Sequence, residues 1–231
     1  MDAGEYMPHP IGFTAGPAGS GGLPAPVDFA RRAAEDALDQ RANRHPAVGE
    51  VTALTVLTSR GREYGGEVQI VQASTIVGGG YAHLTGQHGR EMDHSLRTAH
   101  DFLMRNAAEI GYGLERIRTA DLAVHLVSIG QYREGSSAGL AFLLAMVSAL
   151  LNRPLRPALA VTGEVSLHGD IGAVGGLPFK LAAAQRRGRR VALIPEANRA
   201  ELEAIPARVR GRLEILTAQT VRDALRQAFV L

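Results

Sequence analysis

The chain has 231 residues, a formal net charge of +2, 45% hydrophobic and 21% charged residues, and no cysteine. That length suits one large domain or two small ones with a sizeable core, and the lack of cysteine excludes disulfides, a thiolate zinc site and a cysteine nucleophile. A charge so close to zero argues against a general nucleic-acid binder.

Residues 1–26 are rich in Gly, Pro and Ala without an apolar period, and are expected to form a disordered tail. The segment MDAGEYMPHP has neither the basic nor the apolar region of a signal peptide. Residues 27–47 carry the pattern FARRAAEDALDQRAN, which predicts an amphipathic helix to about Asn43 with Asp28 as N-cap, followed by a short linker. Residues 48–231 are then the folded domain. Strands are expected at Val51–Leu57, Glu67–Ile76 and Tyr81–Thr85, joined as hairpins or a meander through turn-rich SRGREYGG and GGG. A helix is expected at about Glu91–Ile110, with Leu96, Ala99, Leu103, Ala107 and Ile110 on its apolar face, and a buried strand at Leu122–Val127.

After the loop GQYREGSS, a helix is predicted from Ser137 to about Asn152, ending before Pro154. Its apolar stretch, LAFLLAMVSALL, is too short to span a bilayer and reads as a core helix. Strands recur at Ala158–Thr162, Ile171–Val174, Val191–Ile194 and Leu213–Leu216, with helices at Pro178–Arg187, Ala197–Ile205 and Thr220–Phe229 between and after them. One compact α+β domain behind a floppy tail accounts for this order. The composition and the lack of a targeting segment favour the cytoplasm.

One residue stands out. Of the 25 basic residues, a single one, Lys180, is lysine. A GC-rich genome explains the arginine excess, but not where the lone lysine sits. Arginine keeps its proton in proteins and lysine can lose it, so Lys180 is a candidate for deprotonation chemistry. In GAVGGLPFKLAAAQRRG, Gly175-Gly176 forms a turn, Pro178 suits a first helical position, and Lys180 falls in the first turn. The positive end of the helix dipole and the apolar Leu177, Phe179 and Leu181 would both lower its pKa, as a general base requires.

Gly135-Ser136-Ser137-Ala138-Gly139 lies at the start of the apolar helix. There, small neighbours admit a substrate backbone and free N–H groups suit an oxyanion. The plain alternative is that Ser136 or Ser137 only caps the helix. The same residues satisfy G-x-S-x-G, but the nucleophile elbow needs an acid and then a histidine downstream. The last histidine, His168, follows Ser137 too closely for that order.

From about Val48 onward these segments resemble the proteolytic domain of the Lon ATP-dependent protease family. EGSSAGLA is similar to its serine motif, LLNRPLRPALAVTGEVSLHGDIGAVGGLPFKLAAAQRRG to the segment running through its lysine motif, and VALIPEANRAELEAIP to its C-terminal strand and helix. VTALTVL and YAHLTGQHGREMDHSLRTA are similar to its upstream part. The resemblance implies mixed sheets packed with helices around a core shared with a ribosomal-protein fold, and a serine endopeptidase with a Ser–Lys dyad. Ser137 would be the nucleophile and Lys180 the base. Thr162 would bind the lysine amine, Glu134 would stand at the acidic position three before the serine, and the backbone near Ala138 would face the oxyanion. Three positions depart from the pattern: Ser136 replaces the usual Pro, Phe142 is bulkier than the usual aliphatic residue, and Ala123 replaces one of two strand histidines. The other, His125, is expected to be structural.

The only lysine lies outside any G-x-x-x-x-G-K-[ST] loop, so these residues carry no Walker A motor. The chain is therefore expected to be a stand-alone Lon-like peptidase or the tail end of a longer protein. ATP would enter only through an AAA+ partner, and no cofactor or metal is expected in the chain itself. Substrates are expected to be unfolded proteins or peptides, and the assembly a homo-oligomer, with a hexameric ring as the family implies. The rival is a non-proteolytic adaptor or nucleic-acid-associated module of the same fold, using Arg186-Arg187-Gly188-Arg189-Arg190 on phosphates. A metallohydrolase lacks H-E-x-x-H or clustered ligand spacing.

Overall fold

The computed structural model describes residues 33, 36–37, 39–40, 43–108, 117–127 and 135–229. The expected tail, Glu134, and the end of the helix predicted to reach Ile110 lie outside the described residues. Strand β1 (Glu50–Ser59) and strand β2 (Arg62–Val77) form an antiparallel hairpin, with Ser59 opposite Arg62. Its two-residue turn, Arg60-Gly61, has φ of +50° and +74°, the type I′ geometry whose twist matches that of the flanking strands.

The expected meander does not continue into the third strand. Strand β3 (Ala82–Thr85) pairs in parallel with β4 (Ala120–Val127), and β4 lies between β3 and β2. Helix α1 (Arg90–Asn106) makes the crossover between β3 and β4, burying Met92, Leu96, Ala99, Phe102 and Leu103. A parallel neighbour requires such a connection; a tight turn would not reach.

A 3-10 turn over Ser136–Ala138 leads into α2 (Gly139–Leu151). Eleven of its 13 residues are buried. A helix apolar all round belongs in the centre of a core. It ends at Asn152 in the left-handed conformation, φ +51°, as a helix stop. Strands β5 (Leu159–Val161), β8 (Val191–Pro195) and β9 (Glu214–Ala218) extend the sheet in parallel from β1, giving the order β3-β4-β2-β1-β5-β8-β9. Strands β6 (Glu164–Val165) and β7 (Ile171–Gly172) form a separate small hairpin. Helices α3 (Leu177–Arg186), α4 (Arg199–Ala204), α5 (Ala207–Arg210) and α6 (Val221–Ala228) complete the mixed α/β fold.

The alternation of strand side chains divides the interior. Ala53, Val161 and Leu193 join α1, α2 and α6 in the large core. Their neighbours Leu54 and Ala160 meet Ala184 of α3, and Ala192 and Ile194 meet Leu177 and Leu181, on the opposite face. The serine-bearing and lysine-bearing helices therefore cover opposite faces of one sheet.

The arginine run does not form a free phosphate-binding loop. Arg189 is buried and donates to Asp39, and to Asn43 Oδ1 at 2.6 Å; Arg187 pairs with Asp36 and Asp39 at 3.2 and 3.1 Å. Arg186 donates to the Gly66 carbonyl at 2.9 Å. Three of the four arginines in the run hold the helical residues near Asp39 and strand β2 in place.

Candidate active site

The two helices converge at the C-terminal end of β5, where the strand runs into Thr162 and Gly163. The Gly163 N–H donates to the Ser137 carbonyl at 3.0 Å, and the Leu140 N–H donates to the Gly163 carbonyl at 3.0 Å. This pairing clamps the start of α2 to the strand end. Gly139 permits it, because a Cβ there would lie 3.3 Å from the Val165 nitrogen.

Capping does not explain the serines. Neither the 3-10 turn nor α2 has a side-chain cap. Ser136 Oγ donates instead to Glu164 Oε2 at 2.9 Å, and Ser95 Oγ donates to the Ser136 carbonyl at 3.3 Å. Ser137 is partly exposed, and Ala138 behind it is buried.

Lys180 reaches the same point from the other face. It lies in the first turn of α3, after Pro178, and Gly176 caps the helix with φ +66°. Any Cβ at Gly176 would also fall 2.6 Å from Val56 Cγ2, so glycine is required twice over. Lys180 is 1% exposed, and its Nζ donates to Thr162 Oγ1 at 3.0 Å. Thr162 is fully buried, and its hydroxyl donates in turn to the Ser137 carbonyl at 3.4 Å. Among the described residues, Lys180 Nζ and Ser137 Oγ form no direct hydrogen bond; Thr162 links the two helices.

Burial pushes the Lys180 ammonium down from 10.5 to about 8, against the opposing pull of Glu63 and Glu201. Desolvation penalises the charged form, and two nearby carboxylates offset part of that penalty. The result is a buried amine whose neutral fraction near pH 7.4 is about a fifth, against about a thousandth for an ordinary lysine.

The sequence reading did not identify three residues that shape this corner. Glu63 lies close to the Gly175-Gly176 turn and Glu201 belongs to α4. Asn198, 4% exposed, accepts from the Val174 N–H at 3.0 Å and donates to the Val174 carbonyl at 2.9 Å and to Glu201 at 2.8 Å. It fixes the backbone from which α3 starts. It also takes both polar groups of Val174, so the strand expected at Ile171–Val174 stops at Gly172. An Asn inside the helix expected at Ala197–Ile205 gives no sequence signal for this contact.

His125 sits opposite Thr85 in the β3–β4 ladder, with Thr85 Oγ1 and His125 Nδ1 2.8 Å apart, which is a structural pairing away from the lysine. Phe142 is fully buried in α2 and Ala123 lies in β4.

Residues 33–231 match the family model of the Lon protease C-terminal proteolytic domain. The chain belongs to the Lon proteolytic-domain family. Lon protease 1 of Sorangium cellulosum is 37% identical over 71% of this chain, and the Lon protease of Haemophilus influenzae is 34% identical over 80%. Lon protease 2 of Herpetosiphon aurantiacus is 32% identical over 82%. The chain spans about a fifth of the length of these relatives, with 20%, 22% and 23% of them covered. The two stretches that resemble the family's serine and lysine motifs are the helix starts linked through Thr162.

Proposed function

We propose that this Lon-type domain is a serine endopeptidase in which Ser137 is the nucleophile and Lys180 the general base. The observation that carries the proposal is the buried, pKa-lowered Lys180 amine held by Thr162, whose hydroxyl is tied to the backbone of Ser137. A small side-chain movement passes the amine from Thr162 Oγ1 to Ser137 Oγ. Neutral Lys180 then takes the hydroxyl proton as Oγ bonds to the scissile carbonyl carbon. Backbone N–H groups at Ser137–Ala138 stabilise the oxyanion, and the lysinium protonates the departing amine as the C–N bond breaks. Water, deprotonated by the same amine, releases the acyl group from Ser137.

Glu134, three residues before the nucleophile in the sequence, supports the dyad as the acid at that position of the serine motif. Substrates are unfolded proteins or peptides, delivered by an AAA+ ATPase when folded, and the working form is a homo-oligomer. Degradation of fluorescein-labelled casein tests the assignment. Ser137→Ala and Lys180→Arg should each reduce turnover to background, while Ser136→Ala retains it; full activity in either of the first two would overturn the dyad.

A further inference from the structure

The far edge of the sheet, where β5, β8 and β9 begin, carries a second concavity. Arg156 just before β5, Arg190 just before β8, Glu214 at the start of β9, and Arg226, Gln227 and Phe229 at the end of α6 line an open cavity of about 710 Å³. Small-molecule sites commonly have volumes of roughly 300–1,000 Å³. The peptidase site is at the opposite, C-terminal end of β5, so this cavity is separate from it.

Its charge is unbalanced. Three guanidinium groups face one carboxylate, and that carboxylate is engaged: Arg156 pairs with Glu214 at 3.1 Å. Arg190 and Arg226 have no acidic partner among the described residues. By contrast, Arg187 and Arg189 pair with Asp36 and Asp39, and Arg199 with Glu196. Within the arginine run, Arg190 lines this cavity.

The walls are held in place. The Arg156 N–H donates to the Ala228 carbonyl at 2.8 Å, and Gln227 Nε2 donates to the Thr217 carbonyl at 2.9 Å. The Arg153 guanidinium stacks over the Phe229 ring, 5.6 Å from its centroid.

We propose that this cavity binds a small anion carrying two or more linked phosphate groups. Guanidinium presents a planar fork that matches two phosphate oxygens. Arg190 and Arg226 each engage one phosphate, and Arg156 is shared between the ligand and Glu214. A bound diphosphate also relieves the mutual repulsion of the three cations around one concavity.

Calorimetric titration of the full chain with inorganic pyrophosphate at fixed ionic strength tests this, with sulfate and a short single-stranded oligonucleotide as comparison arms. Saturable one-site binding is expected, tighter for pyrophosphate than for sulfate. It should weaken by about tenfold or more in Arg190→Gln/Arg226→Gln. Casein turnover without pyrophosphate should be unchanged in that variant, so the result is independent of the peptidase assignment. Absence of saturable binding, equal affinity in the variant, or tighter binding of the oligonucleotide through the same arginines would overturn the proposal.

Discussion

At the level of single residues, one proton links the activity of Lys180 to the stability of the fold. Its pKa is lowered to about 8 by burial, whereas a lysine in the unfolded chain titrates near 10.5. The base must be neutral, so kcat/KM should rise with pH through an apparent pKa of about 8. Between about 8 and 10.5 the unfolded chain binds the extra proton, so this residue's contribution makes stability rise with pH across that window. Below it, the penalty of a buried ammonium is felt in full, roughly 3 kcal/mol at about 1.4 kcal/mol per pKa unit. Lys180→Met should abolish turnover yet stabilise the protein at pH 7 by roughly 2 kcal/mol after loss of one hydrogen bond worth about 1, measurable by urea unfolding. Glu201 raises the lysine pKa, so Glu201→Gln should move the acid limb of the rate profile to lower pH. Thr162→Val removes both links of the relay and should lower kcat by about 10- to 100-fold with little change in KM.

The sequence made Ser137, Lys180 and Thr162 legible because each sits at a locally coded place: a helix start, a Gly-Gly-x-Pro turn, a strand end. Glu63, Glu201 and Asn198 were not legible, because they act only through tertiary contacts, the two acids on the lysine and Asn198 on Val174 ahead of α3.

Between elements, the critical approach is β2 against the start of α3. Gly66 carries it: a Cβ there would lie 2.1 Å from the Phe179 carbonyl oxygen, a backbone atom that cannot step aside cheaply. Gly66→Ala should displace the lysine helix, lowering activity together with stability, by roughly 2 kcal/mol or more. The buried Arg189–Asp39 pair ties the helical residues near Asp39 to the loop after α3. Arg189→Ala leaves Asp39 with Arg187 as its charged partner and should cost roughly 1–3 kcal/mol in denaturant unfolding. Periodicity predicted these elements well where they are long, as in α1, α2 and the β1–β2 hairpin. It failed where tertiary contacts decide. The helix expected at Ala197–Ile205 is shortened to α4, with a 3-10 turn over Glu196–Asn198 before it, and a separate α5 follows Pro206.

For the molecule as a whole, the α+β class could be read from the order of elements, but not the order of strands. Nothing local announces that β4 inserts between β3 and β2, or that β5 crosses over to lie beside β1. That crossover decides function, because it puts the C-terminal end of β5 between a serine helix on one face and a lysine helix on the other. Among the described residues no helix is long and apolar enough to cross a membrane. Light scattering should give a multiple of the 24.5 kDa chain mass if the domain assembles as proposed.

Because Lys180 is the only lysine, labelling with 13Cε-lysine places a single side-chain resonance at the heart of the site. Following its chemical shift against pH by NMR measures the pKa of the proposed base directly. A midpoint near 8, moving lower in Glu201→Gln, is the expected result. A midpoint near 10.5 in the native protein would mean that the amine stays protonated at working pH, and would contradict its assignment as the base for Ser137.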